Sequence, residues 1–141
     1  MISGRLIIPA LLAITAAGCA PNRMYVGPPR PREQIAVVEG DSTRSVVSID
    51  GGELPLFRGE IYELEPGRHR LAITFAFSDV FFTTVTTTRS VEPCDVDYVF
   101  EAGHHYTIEI GRSGPKIWVY LLDAATLQQI ECRPRRPAYY E

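Results

Sequence analysis

EIYELEPGRHRLAITFAFSD, residues 60–79, holds two runs of alternating apolar and polar residues on either side of Pro66-Gly67. In the second run Leu71, Ile73, Phe75 and Phe77 recur at every other position. That is the period of a pleated strand, whose side chains point to opposite faces in turn; a helix would repeat every three to four residues. Proline pre-sets one turn position and glycine tolerates the positive φ of the next, so Pro66-Gly67 reads as a tight turn between two strands. The alternation predicts Leu71, Ile73 and Phe75 inward and Arg70, Ala72 and Thr74 on the other side.

The same signature extends in both directions. Upstream, QIAVVEG (34–40) and RSVVSIDGG (44–52) are β-branched runs closed by Gly40 and by Asp50-Gly51-Gly52. Downstream, VFFTTVTTTRSV (80–91) carries valine and threonine at a density that favours strand over helix. VDYVFEAGHHYTIEIG (96–111) repeats the hairpin pattern around Ala102-Gly103, and KIWVYLLD (116–123) is a last apolar strand. AATLQQI (124–130) adds one helical turn or a short strand. Short strands separated by turn signals, with no strong helix and no internal repeat, predict an all-β fold, a small antiparallel β-sandwich over residues 34–132.

Composition sets the outer limits. The chain has 141 residues, room for one domain, and 45% hydrophobic residues, enough for a small core. A net charge of −3 does not suggest a nucleic-acid partner. Of the 14 basic residues only Lys116 is a lysine.

The N-terminus stands apart from the strands. Arg5 precedes LIIPALLAITAAG (6–18), an apolar run too short to span a bilayer as a helix, which takes about 20 residues. A positive start, an apolar middle and small residues before a cut site describe an export signal over residues 1–18. AAGC, residues 16–19, resembles the lipobox of bacterial lipoproteins, although Ala16 stands where that family usually has leucine. The resemblance implies a cleaved signal and diacylglycerol on Cys19. Ala20, in place of a retention aspartate, implies the outer membrane, facing the periplasm. The proline-bearing stretch at residues 19–33 reads as an extended spacer between anchor and domain.

VSIDGG (47–52) followed by LEPGRHRLAI (64–73) resembles the PEGA domain pattern, and Ala102 to Tyr106 and Lys116 to Asp123 extend the likeness loosely. The family's Thr-Pro pair is missing at residues 53–60. The resemblance implies a small sandwich of the prealbumin-like, carbohydrate-binding-like group. Its motif is made of turn glycines, a turn proline and alternating core residues, so it carries no catalytic residue across.

With Cys19 lipidated, Cys94 and Cys132 are left as an even pair in an oxidising compartment, and a disulfide between them is expected. It would close a loop of about 40 residues, worth about 4 kcal/mol in the chain-entropy view. Two free thiols or a metal site are the alternatives; zinc would need further ligands, and the chain has only three histidines.

Little else points to chemistry. His104 and His105 are adjacent, so on a strand their side chains diverge, and His69 follows a Pro-Gly turn. Asp95 and Asp97 share a strand face, where they would pair with arginine or hold a cation. No Ser-His-Asp order, phosphate-binding glycine loop or paired metal motif is present, so no catalytic residue, metal or cofactor is assigned. Phe81, Phe82, Tyr98, Tyr106, Trp118 and Tyr120 are core residues or a stacking face, with Trp118 and Tyr120 the candidate ligand contacts. RPRRPAYYE (133–141) reads as a disordered tail. The expectation is a non-enzymatic structural or protein-interaction module of the envelope, membrane-held through its lipid; the alternative is a small-ligand or glycan binder using exposed aromatics.

Overall fold

The computed structural model describes residues 21–41, 43–54, 60–81, 84–90 and 93–135. The signal segment, Cys19, Phe82 and residues 136–141 lie outside them. In chain order the strands are β1 (Asn22–Arg23), β2 (Ala36–Glu39), β3 (Arg44–Ile49), β4 (Gly52–Glu53), β5 (Ile61–Leu64) and β6 (Gly67–Phe81), then β7 (Thr84–Ser90), β8 (Cys94–Phe100), β9 (His105–Ser113), β10 (Lys116–Asp123), β11 (Gln129–Glu131) and β12 (Arg133–Pro134). One sheet has the order β1-β5-β2-β9-β10-β11 and the other β12-β8-β6-β3-β4, with β7 paired to β6 beyond that path.

The all-β sandwich follows from the alternating residues. Val38, Leu64, Tyr106, Ile108, Val119 and Leu121 of the first sheet meet Val46, Leu71, Ile73, Phe75, Val96 and Phe100 of the second in one core. Burying an aliphatic or aromatic side chain of this size contributes about 1.5–3 kcal/mol. Tyr62 reaches across the core and donates its hydroxyl to the Val46 carbonyl at 3.3 Å, so its polar end is satisfied while the ring is buried.

Two expected hairpins are not hairpins. β5 and β6 flank Pro66-Gly67 but belong to opposite sheets, and so do β8 and β9 on either side of Ala102-Gly103. Each turn carries the chain across the sandwich. Gly67 at φ 130° and Gly103 at φ 80° supply the backbone values that such abrupt reversals need. Hairpins form instead at β3–β4, β6–β7, β9–β10 and β10–β11.

The sandwich is also not wholly antiparallel. β2 runs parallel to β9, with Val37 opposite His105, and β1 runs parallel to β5, with Asn22 opposite Tyr62. β1 pairs residues 22 and 23, upstream of residue 34, with β5. The proline-bearing stretch is built onto the fold: Met24 N–H donates to the Glu63 carbonyl and packs against the core. Tyr25 donates to Glu63 and receives the Arg30 backbone N–H. The Arg30 guanidinium lies 4.7 Å from the centre of the Tyr25 ring. At the other terminus the start of the expected tail is β12, with Arg133 opposite Asp95.

Leu71, Ile73 and Phe75 are buried as expected, but so is Ala72, 2% exposed. Its β6 position is flanked by Asp95 on β8 and Ser48 on β3, and a methyl group is short enough to be covered by such neighbours.

Candidate functional site

β10 alternates cleanly: Val119, Leu121 and Asp123 are buried, while Trp118 and Tyr120 are half-buried on the opposite, outward face. Trp118 sits opposite Gly111 of β9. A Cβ at residue 111 would overlap the indole ring, so the ring lies directly on the glycine backbone. Lys116 Nζ stands 5.8 Å from the Trp118 ring centre. Lys116, Trp118, Tyr120, Gln129 and Glu131 line one shallow groove of about 310 Å³. The structure thus brings Trp118 and Tyr120 together and adds Gly111, Lys116, Gln129 and Glu131, none of which the sequence placed beside them. Only the Gly111–Trp118 register would have pointed to them, and register depends on which strands pair.

The other candidate aromatics divide. Tyr106 and Phe100 are fully buried, with ring centres 5.0 Å apart and edge to face. Tyr98 packs edge-on against Phe100 at 5.5 Å. They are core, and the hydroxyl of Tyr106 accepts the Glu101 backbone N–H.

Each histidine is engaged by a carboxylate. The His69 ring stands 2.6 Å from an Asp50 carboxylate oxygen and 2.6 Å from the Glu65 carbonyl oxygen, tying the β3–β4 turn to the β5–β6 turn. His105 donates to Glu39 at 2.7 Å. His104 donates to Asp123 at 2.7 Å and faces Glu101 at 3.1 Å. Asp123 is 2% exposed and also accepts the Ala125 N–H. The bond to Asp123 holds the His104 imidazolium above the usual histidine range, against the opposing effect of burial. Burial acts to raise the Asp123 carboxyl, but the His104 and Ala125 hydrogen bonds outweigh it and leave it lowered. The His69 and His104 pairs clamp turns, and the His105 pair joins β9 to its parallel neighbour β2.

Asp95 and Asp97 pair with arginine. Asp95 accepts two bonds from Arg135 at 3.0 Å and one from Arg70 at 3.4 Å, and Asp97 accepts one from Arg68 at 2.9 Å. The Arg135 bonds lead in holding the Asp95 carboxyl below its ordinary value. Among the described residues no group of three or more His, Cys, Asp or Glu side chains is arranged to hold a metal ion.

Cys94 and Cys132 form a disulfide, with Cα atoms 5.5 Å apart. Both are buried. The bridge sits where the chain leaves β11 in one sheet for β12 in the other. No protein-family model, curated protein or solved structure matches the chain.

Proposed function

We propose that the chain is a lipid-anchored lipoprotein of the bacterial envelope, held at the outer membrane through Cys19, whose sandwich serves as a non-enzymatic structural or protein-interaction module. The observation that carries the reading is the buried Cys94–Cys132 disulfide in a chain that also bears the AAGC lipobox-like motif. Such bridges persist in oxidising compartments, which agrees with export. The titratable side chains support a non-enzymatic role, because the histidines and paired aspartates brace turns and neighbouring strands. The VSIDGG and LEPGRHRLAI segments, resembling PEGA, sit at the β3–β4 turn and the β5–β6 crossing. Palmitate labelling and membrane fractionation test the anchor: Cys19→Ala is expected to abolish both label and sedimentation. A variant that is cut normally and still fractionates with the outer membrane would sink the reading.

The groove beside Trp118 favours a second reading, a small-ligand or glycan contact. A flat indole with polar Gln129 and Glu131 beside it offers both stacking and hydrogen bonding. Isothermal titration with soluble oligosaccharides, against Trp118→Ala, separates the two.

A further inference from the structure

The strand directions divide the sandwich into two ends. β5 ends where β6 begins, and β8 ends where β9 begins, so the Pro66-Gly67 and Ala102-Gly103 turns lie together at one end. β1 is parallel to β5 and is entered from the opposite end. Two hairpins reach that same opposite end. Beyond Phe75, the last residue opposite β3, β6 continues from Ala76 to Phe81 paired with β7. Six residues of ribbon extend about 20 Å at the rise of a strand. Between Asp79 and Arg89 its sequence is VFFTTVTTT, without a charge. The β9–β10 hairpin also turns there, at Gly114-Pro115, with Arg112 and Lys116 exposed on its two arms and Trp118 one step behind.

From the chain's entry point, the ribbon and the basic hairpin, the geometry points to this end of the sandwich as a docking surface for an anionic lipid bilayer. The inference rests on the lipid-anchor reading. Cys19 to Pro21 is a link of three residues, which reaches about 10 Å at most. A lipid on Cys19 therefore brings this end, and not the turn-bearing end, to the headgroups. The chemistry at the β9–β10 hairpin tip suits that neighbour. Lys116 and Arg112 are cations for lipid phosphates, and an indole is the side chain that sits at a membrane–water boundary. Asp41 and Glu109, acids near the same end, are already held by Arg44 at 3.5 and 3.3 Å.

Trp118 is the chain's one tryptophan, so its emission reads the surface directly. The acylated full-length mature chain is reconstituted into phosphatidylcholine vesicles containing a minority of phosphatidylglycerol. The expected result is quenching by nitroxide carried at headgroup depth and several-fold weaker quenching by aqueous iodide than in the same chain in detergent after dilution from lipid. Arg112→Glu with Lys116→Glu is expected to lose the nitroxide quenching while still floating with the vesicles. A wild-type chain that floats but keeps Trp118 open to iodide and untouched by nitroxide overturns the docking surface and leaves the anchor intact. The same pattern with soluble oligosaccharide protecting Trp118 assigns the groove to a ligand and also overturns it. A chain recovered without lipid and away from the vesicles overturns both.

Discussion

Gly111 and Trp118 show how one missing side chain shapes a surface. The indole occupies the space a Cβ would need. Gly111→Val is expected to lift the ring, cost about 1–3 kcal/mol through overpacking, and shift the Trp118 emission, all read in one urea titration. The His104–Asp123 pair sets a pH dependence at the same scale. His104 is raised, so its contribution is complete below the unfolded histidine value of about 6.5 and fades as pH climbs through the higher folded value. Asp123 is lowered, so its contribution is complete above the unfolded aspartate value of about 3.9 and fades as pH drops through the lower folded value. The pair therefore supports the fold most between those limits, in mild acid. Thermal melts across pH are expected to show an alkaline decline that His104→Gln flattens; an unchanged decline in the variant would remove the pair as its cause.

At the scale of elements, the strands were legible and their partners were not. LAITF and KIWVYLL declare strands because alternating and β-branched residues suit a half-buried pleat, whichever neighbour it has. Pro66-Gly67 and Ala102-Gly103 declare sharp reversals, but a reversal within a sheet and one across the sandwich need the same turn residues. The difference lies in long-range pairing, which local chemistry does not record. β1 was hidden for a related reason: two residues among prolines carry no periodicity, and what holds them is β5, far along the chain. The same blindness covered the groove, since Gln129 and Glu131 reach Trp118 only once β11 pairs with β10. The crossing at Gly67 also makes a mutational prediction. At φ 130° a β-branched residue is strained, although nothing lies within 4 Å of an added Cβ. Gly67→Val is expected to cost about 1–3 kcal/mol from backbone strain alone. Phe75→Ala, from the core, is expected to cost about 3–5 kcal/mol. Chemical denaturation measures both, and a neutral Gly67→Val would mean that the turn tolerates another path.

For the molecule as a whole, the Cys94–Cys132 bridge fastens the last crossing between sheets. Its ends are 38 residues apart in sequence. Reduction, or Cys94→Ser, is expected to lower stability by about 2–5 kcal/mol. Intact mass with and without reductant before alkylation checks the bridge itself: free thiols in freshly isolated oxidised protein would contradict it. The pairing of these two cysteines was readable by count, because reading Cys19 as a lipidation site leaves two cysteines for each other. Where the bridge acts was not readable, because it depends on β11 and β12 lying in different sheets.

The parallel pairing of β2 with β9 also sets an order in time. β2 lies between β5 and β9, and Val37 cannot meet His105 until most of the domain has left the ribosome or crossed a membrane. Closing so long a loop costs entropy before any contact repays it, and folds dominated by such pairings form slowly. Until then β2 is a short apolar strand with an open edge, the kind of segment that sticks to other chains. A molecule that cannot complete its first sheet early stays threadable for as long as it is being made, and needs protection over the same interval.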